Sequence, residues 1–355
     1  MKAKYRHYGC RITDESTYKG RNVLFLENEL IKTGLLLDKG ADLFQFIYKP
    51  ADVDFLWKSP NGLLNPQKYH DTIASGAGTF LDNYHGGWQE IFPGGGPYVY
   101  QGAELGLHGE VTQLGWDYSI LEDEPETILV KLEVDCVRTP FHIEKTIRMK
   151  QHDPSVYIEE KITNLSTQDL YVMWGQHPAL GAPFLKKGNR LFLNARKAVV
   201  HSPKFMESGI FEPGREFDWP TIRTDDKEID LSIIGDESCG YGDLLYLKEL
   251  EEGWYACIDP EARLGFGLAW PKEIFPYLWF WLVYGKSPGY PWWDRTYCIA
   301  LEPWTSCPNR FEEAVKNQTV PVIRGKETIT IPFTAVAISG VESIRGIDLS
   351  GTIKK

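Results

Sequence analysis

The 355-residue chain lacks the features that mark several large classes of protein. No apolar run reaches the ~18 residues of a membrane span, and no block of lysine and arginine is present. Lysine and arginine total 38 against 49 aspartates and glutamates, so the formal net charge is −11 at pH 7. An acidic balance without a basic patch argues against binding phosphate backbones. We therefore expect neither nucleic acid nor a membrane as a partner.

Close cysteine pairs and phosphate-binding loops are also missing. The six cysteines are scattered without a C-x-x-C pair, which argues against a zinc knuckle or a redox motif. The chain begins with polar residues and has no apolar core of a secretion signal, so we expect a cytoplasmic protein with reduced thiols. Residues 82–96 read DNYHGGWQEIFPGGG, but the spacing matches neither a Walker loop nor a dinucleotide fingerprint. We expect no cofactor.

Helical periodicity is scarce and strand periodicity is common. Short helical turns are predicted at Pro308–Lys316, with Asn309 as a possible cap, and at residues 65–74. Alternation of apolar and polar residues predicts antiparallel strands at Glu126–Cys136, Phe141–Met149, Val156–Ile162 and Glu327–Ile338. We predict an all-β fold, a large antiparallel β-sandwich with few short helices.

No linker divides the chain, although its length alone would suggest about two domains. We predict a single domain over residues 1–355, with its core at about 25–339 and a loosely held polar tail at 341–355. The 12 tryptophans, 18 tyrosines and 17 phenylalanines fit a large β core. Some of them could instead line a sugar site, because the apolar face of a pyranose stacks on an aromatic ring. The dense segment from Trp270 to Trp304 favours that second interpretation.

Three separate segments each place a titratable side chain beside a strand-like stretch. They are Leu107–Glu110, with His108; Trp174–Pro178, with His177; and Leu301–Thr305, with Glu302. Two histidines and one carboxylate suffice to move a proton on and off a sugar ring without a metal. Each residue has a structural alternative. His108 could be a histidine in a turn, His177 could be a hydrogen-bonded histidine in the core, and Glu302 could form a buried salt bridge. Burial of Glu302 would raise its pKa, which suits a general base near neutral pH.

Two further groupings of polar residues lie in the same part of the sequence as His108. Trp88, Gln89 and Glu90 supply a stacking ring, an amide and a carboxylate, or else form a turn with a buried tryptophan. His108 and Glu110 would share one face of a strand. That pair could ligate a metal, but a further histidine would be needed close by, so we predict no metal site.

These segments occur in an order that resembles the galactose mutarotase-like superfamily, which contains the aldose 1-epimerases. A His-Gly segment is followed by a strand pair that ends in Asn-Leu-Ser, a His-Pro segment and an apolar strand that ends in Glu-Pro. The resemblance covers about residues 25–339 and is strongest at Ile158–Pro178 and Phe280–Pro308. It implies a β-supersandwich that interconverts the α and β anomers of a sugar. It also implies that Glu302 is the general base, that His177 is the general acid and that His108 holds the substrate.

The chain departs from that family where substrate hydroxyls would be bound. An arginine expected upstream of His-Gly is missing, and Trp88-Gln89-Glu90 stands near its place. Asp243 and Asp259 both remain candidates for an expected substrate-binding aspartate. Further candidates for shaping the pocket are Trp279, Trp281, Trp292, Trp293 and Arg295. Arg295 would suit an acidic group, with a structural ion pair as the alternative. The sugar is therefore left open.

Two other functions are compatible with the sequence. A carbohydrate-binding protein without turnover would keep the aromatic cleft but not the proton carriers in productive geometry. A glycoside hydrolase or lyase would pair Glu302 with Glu90 or Glu110, at about 5–9.5 Å across one cleft. The sequence does not decide between a monomer and a homodimer.

Overall fold

The computed structural model describes residues 6–68, 77–224 and 227–355. Strands dominate these residues, and the two α-helices are short. No helix within the described ranges combines the length and the apolarity needed to cross a membrane.

Short strands follow one another along the whole chain, and few helical turns interrupt them. The first half contains β1 (Arg11–Tyr18), β2 (Arg21–Glu27), β3 (Ile31–Leu36), β4 (Asp42–Tyr48), β5 (Val53–Asp54), α1 (Gly78–Asn83), β6 (Trp88–Ile91), β7 (Tyr98–Tyr100), β8 (Ala103–Leu105), β9 (Asp117–Asp123), β10 (Thr127–Asp135), β11 (Phe141–Lys150), β12 (Ser155–Asn164), β13 (Leu170–Tyr171) and β14 (Gly175–Gly181). The second half contains β15 (Arg190–Leu193), β16 (Lys197–Val200), β17 (Glu216–Asp218), β18 (Thr221–Arg223), β19 (Glu228–Asp230), β20 (Tyr241–Lys248), β21 (Trp254–Asp259), β22 (Leu264–Ala269), β23 (Tyr277–Tyr284), β24 (Tyr297–Trp304), α2 (Phe311–Lys316), β25 (Val322–Ile323), β26 (Thr328–Ser339), β27 (Gly346–Ile347) and β28 (Ile353–Lys354). Single 3₁₀ turns lie at Lys49–Ala51, Val111–Gln113 and Glu237–Cys239.

Two antiparallel sheets form the predicted sandwich. The 12-stranded sheet has the order β1-β2-β3-β4-β6-β14-β24-β23-β20-β16-β17, with β5 beside β4. The eight-stranded sheet has the order β15-β21-β22-β26-β12-β11-β10-β9. The four strands predicted from alternation are confirmed as β10, β11, β12 and β26 of the smaller sheet, where buried and partly exposed residues alternate along β10 and β11.

Apolar side chains cover both faces of the larger sheet. Leu301 on β24 belongs to the cluster between the sheets, together with Ile147 on β11 and Phe333 on β26. Trp279 and Trp304 belong to a second cluster on the opposite face. Burial on both faces explains why β23 and β24 read as nearly continuous apolar runs.

Some local predictions need correction. The predicted helix at Pro308–Lys316 begins later, at Phe311, and its N-cap is Arg310 rather than Asn309. The helical turn predicted at residues 65–74 falls partly at 69–76, outside the described residues. The tail is not loosely held, since Ile344 and Ile347 are buried against the outer face of the smaller sheet. Because the tail is mostly polar, its sequence did not indicate that these two isoleucines would be buried.

A polar network crosses the interior between the sheets. The Lys145 ammonium lies 2.9 Å from Glu90 and 3.2 Å from Glu160. The amide of Gln176 donates to both carboxyl groups, at 2.7 and 2.9 Å. Burial disfavours the charge on Lys145, but the two carboxyl groups outweigh it and raise the lysine pKa. Burial and the nearby Glu90 raise the pKa of Glu160, whereas Lys145 outweighs burial at Glu90 and lowers its pKa. The directions of these shifts favour a charged Lys145 beside a charged Glu90, with the proton of the carboxyl pair on Glu160.

Removing the ammonium should therefore destabilise the sandwich. We expect Lys145→Met to lower the free energy of unfolding by about 3–5 kcal/mol, because a buried carboxylate loses its partner. Urea denaturation followed by tryptophan fluorescence would measure it. Lys131→Met, which removes a more exposed lysine between Glu133 and Glu144, should have a much smaller effect, because solvent screens an exposed ion pair. Equal effects of the two substitutions would contradict the charge assignment.

Candidate active site

His177 and Glu302 meet on neighbouring central strands of the larger sheet. The register that pairs Gly175 with Trp304 and Ala179 with Ala300 brings His177 on β14 opposite Glu302 on β24. Directly opposed residues of an antiparallel pair point to the same face. His177 Nε2 lies 3.3 Å from Glu302 Oε1. Residues far apart in the chain thus form one closely spaced pair.

Two aromatic residues fix the orientation of this pair. The Trp304 indole donates a 2.9 Å hydrogen bond to Glu302 Oε2, and it stacks on Trp279 with 3.9 Å between ring centroids. The Tyr84 hydroxyl lies 3.4 Å from His177 Nδ1. Each reactive side chain is therefore held from the side away from its partner.

Dehydration shifts both reactive groups toward their neutral forms. Only 2% of Glu302 and 5% of His177 is exposed. Burial raises the pKa of Glu302 to about 8, although the bond from Trp304 opposes the shift. Burial lowers the pKa of His177 to about 4. Near neutral pH both groups are therefore in their neutral forms, so the 3.3 Å contact is not an ion pair.

His108 reaches the pair from a turn, not from the predicted strand. Its φ is +64°, in the left-handed region, and its backbone N–H donates to the Gly95 carbonyl at 2.8 Å. The next residue, Gly109, also has a positive φ, and a Cβ there would collide with the Phe92 carbonyl. Glycine is thus required for the turn that places the His108 ring 5.3 Å from the His177 ring. Burial and the nearby His177 lower the pKa of His108 well below its usual range.

A cavity of about 320 Å³ adjoins the three residues. Its volume is at the small end of the ~300–1,000 Å³ found for ligand sites. The aromatic part of its wall consists of Phe80, Tyr84, Phe205, Trp279, Trp281 and Trp292. Leu81, Leu107, Met206, Leu244 and Pro291 add aliphatic surface, while Gly95 and Asn309 complete the described lining. Trp279 and Trp281, both predicted for the pocket, do line it.

The tripeptide Trp88-Gln89-Glu90 lies outside this lining. Trp88 points between the sheets and donates to Gln176 at 2.7 Å. Glu90 belongs to the network around Lys145. Gln89 pairs with His177 across β6 and β14, but its amide donates to the Gly86 carbonyl at 2.6 Å. The structural alternative therefore describes these residues better than substrate binding does.

The remaining predicted binding residues also lie elsewhere. Asp243 accepts the backbone N–H of Leu244 at 3.2 Å, and burial raises its pKa to about 6. Asp259 pairs with Lys186 at 2.8 Å at the end of β21. The Arg295 guanidinium donates to the Trp292 carbonyl and to Asn61, each at 3.0 Å. Arg295 supports the wall from behind and is not part of the lining, and neither aspartate belongs to it.

His108 and Glu110, which the sequence placed on one face of a strand, serve different parts of the structure. Glu110 accepts the backbone N–H groups of residues 137–139, at 2.8 to 3.1 Å, and so organises that loop. A different trio, Glu133, His142 and Glu144, lies on the partly exposed surface of β10 and β11. Lys131 bonds its two carboxylates. Neither Glu110 nor this trio therefore places a further metal ligand next to His108.

Sequence reasoning missed several residues of the site. Trp304 was identifiable, because a residue two positions after Glu302 on a strand shares its face. Tyr84 lies within the glycine-rich segment at residues 82–96, but nothing in that segment pointed to its contact with His177. Asn309 follows Pro308 in a loop, and no sequence pattern signals that it reaches the cavity. Of the two neighbouring tryptophans predicted for the pocket, Trp292 does line it and Trp293 does not.

Comparison with known proteins agrees with this fold. The family described as "Domain of unknown function (DUF4432)" matches residues 18–335. No curated protein matches the sequence. Solved structures do match: a Klebsiella pneumoniae protein provisionally named an aldose 1-epimerase superposes with a TM-score of 0.71 at 15% identity, over 93% of this chain and 83% of that one.

Two further structures are named galactose mutarotase-like proteins. The one from Clostridium acetobutylicum has a TM-score of 0.64 at 13% identity, over 94% of this chain and 99% of that one. The one from Lactobacillus casei has a TM-score of 0.61 at 16% identity, over 89% of this chain and 100% of that one. At such low identity the likeness concerns the fold. The chain belongs to the DUF4432 family and has the galactose mutarotase-like fold.

Proposed function

We propose that this protein is an aldose 1-epimerase-like isomerase, which interconverts the α and β anomers of a sugar through ring opening and closure. One observation carries the proposal: two dehydrated proton carriers, His177 and Glu302, lie 3.3 Å apart beside an aromatic cavity of about 320 Å³. The names of the structural neighbours, which include aldose 1-epimerase, support the same reaction class.

The reaction needs one proton removed and one proton delivered. Glu302 takes the proton of the anomeric hydroxyl, and the electrons of that O–H bond form the carbonyl at C1. The C1–O5 bond breaks, its electron pair goes to O5, and His177 delivers a proton there. Rotation about C1–C2 followed by reclosure on the other face returns both protons. No electrons are gained or lost, so no redox partner is needed.

The pair holds the right number of protons for this cycle. Between about pH 4 and about pH 8 it carries one ionisable proton in total. Ring opening uses the carboxylate and imidazolium form, and it leaves the carboxylic acid and neutral imidazole form. Transfer along the 3.3 Å contact interconverts the two forms, and hydroxyls of a bound sugar would stabilise the charged one. The other contacts suit supporting roles: His108 for holding the substrate, and Tyr84 and Trp304 for orienting the carriers.

A paired-carboxylate hydrolase has less support. Among the described residues, Glu302 is the one carboxylate in the cavity lining. Glu90 is bound to Lys145 inside the sandwich, and Glu110 holds the loop at residues 137–139.

Sugar binding without turnover differs from mutarotation in the rate of anomer exchange, which can be measured directly.

Removal of either proton carrier should abolish most of the catalysis. We expect Glu302→Gln and His177→Asn each to reduce enzymatic anomer exchange by roughly 10²–10⁴-fold, the usual contribution of general acid–base catalysis. Exchange between anomers can be measured by NMR across a panel of aldoses, with the spontaneous rate subtracted. Glu104→Gln and His142→Asn, at positions outside the cavity, serve as matched controls. If wild type and Glu302→Gln exchange every sugar equally, or if sugar binds without exchange, the proposal fails.

The pH dependence of the rate tests whether the His177–Glu302 pair carries one ionisable proton. We expect kcat/KM to be flat between about pH 4 and about pH 8, because the pair keeps one proton across that window. The rate should fall above pH 8 as Glu302 loses its proton while His177 stays neutral. A rate that instead keeps rising through pH 9 would mean that the carboxylate works alone as a base.

Glu302 should also make the fold less stable as the pH rises. Its folded pKa of about 8 exceeds the usual value of 4.5, so the folded state binds the extra proton between those values. Stability is then lost as the pH increases through this window. Glu302→Gln should match wild type near pH 4.5 and exceed its free energy of unfolding by on the order of 4 kcal/mol at pH 8.5. Urea titrations at both pH values measure the difference; a constant difference would contradict the raised pKa.

A further inference from the structure

Resting on the mutarotation proposed above, we propose that the substrate is a neutral 6-deoxyhexose. In such a sugar C5 carries a methyl group where a hexose carries a hydroxymethyl group. The inference comes from the balance of apolar and polar groups around the cavity, and it specifies what the His177–Glu302 pair acts on.

The described lining of the cavity offers no cationic group to neutralise an anionic sugar. No lysine or arginine is part of the described lining. Arg295 is engaged with Trp292 and Asn61. Lys204 and Arg310 adjoin the lining residues Phe205 and Asn309 in sequence, but both are exposed and neither belongs to the lining. A phosphate or carboxylate would therefore enter beside Glu302 without a cationic partner, which strongly disfavours a charged substrate.

Hydroxyl partners are also scarce. Besides His108, His177 and Glu302, the described lining contains one more polar side chain outside the tyrosine and tryptophans, that of Asn309. Its backbone N–H donates to the Tyr246 hydroxyl at 3.2 Å, which fixes the residue in place. A hexose brings hydroxyls on C2, C3, C4 and C6, and each one buried without a partner weakens binding. Replacing the C6 hydroxyl with hydrogen removes one such demand and adds apolar surface to bury.

The proposed roles place the C5 substituent near α1. C5 is bonded to the ring oxygen, which the mechanism puts at His177. The wall on that side is aromatic: Tyr84 packs on the His177 ring at 5.6 Å, and Phe80 packs on the His108 ring at 4.5 Å. Leu81, the next residue of α1, completes this part of the lining. A methyl group suits this surface better than a hydroxymethyl group does.

Matched sugar pairs isolate the C6 hydroxyl. We would measure kcat/KM for anomer exchange with L-fucose and L-galactose, D-fucose and D-galactose, L-rhamnose and L-mannose, and 6-deoxy-D-glucose and D-glucose. In every pair that is turned over, the 6-deoxy sugar should be favoured by at least about tenfold, within the range expected for a hydrophobic pocket. Glucose 6-phosphate and glucuronate should not be accelerated. A preference for the parent hexose, or for either anion, would overturn the inference.

Two variants locate the methyl group. Leu81→Gln adds an amide to the α1 wall at a half-buried position, so the fold should tolerate it. It should reduce the preference for the 6-deoxy sugar at least about threefold. Met206→Gln makes a comparable change at another half-buried lining position, outside α1, and should leave that ratio unchanged. Equal effects of both variants, or none from Leu81→Gln, would contradict the placement.

A binding measurement separates failure of this inference from failure of the proposed function. Quenching of tryptophan fluorescence by the same sugar pairs reports binding to the Trp-lined cavity without turnover. If no sugar is turned over, the mutarotase proposal fails, yet a 6-deoxy preference in binding would still support the substrate class. If hexoses are turned over without that preference, the substrate class fails and the mutarotase proposal stands.

Discussion

The site depends on one dehydrated contact, the 3.3 Å approach of His177 Nε2 to Glu302 Oε1 on adjacent strands. In water these groups would titrate near 6.5 and 4.5, so the histidine would hold its proton more tightly than the glutamate. Burial inverts that order, because it penalises the charged form of each group. The inversion leaves a pair of neutral groups that share one mobile proton. Chemistry that moves one proton on and one proton off a sugar needs that arrangement.

The surrounding fold maintains the dehydration. The larger sheet is covered on its inner face by the smaller sheet and on its outer face by aromatic loops, so its central strands are shielded on both sides. Behind the pair, Gln176 on the same strand as His177 bonds to Glu90 and Glu160, which Lys145 ties together. This network anchors β14 to both sheets through polar bonds that require specific geometry. We regard it as the reason that the backbone behind His177 holds a fixed register.

The sequence was a good guide to the sheets and to the meeting of His108, His177 and Glu302 at one cavity, but a poor guide to the rest of the lining. Alternation reports which face of a strand is buried, and β10, β11, β12 and β26 were predicted from it. It cannot report what a buried polar residue bonds to, so Glu90 and Asp243 were assigned to a pocket that neither lines. A loop residue such as Asn309 follows no periodicity, and only the folded chain brings it to the cavity. The prediction of a loosely held tail was wrong for a related reason, because two isoleucines within a polar segment pack against the smaller sheet.

The most direct test of this account is the protonation state of the pair itself. NMR of selectively labelled protein can follow the Glu302 side-chain carbon and the His177 ring nitrogens as the pH is varied, with Glu302→Gln and His177→Asn providing the assignments. The account predicts that Glu302 stays protonated until about pH 8 and that His177 stays neutral down to about pH 4. Titration of Glu302 near 4.5 with His177 near 6.5 would contradict it, because the pair would then be an ordinary ion pair in the intervening range.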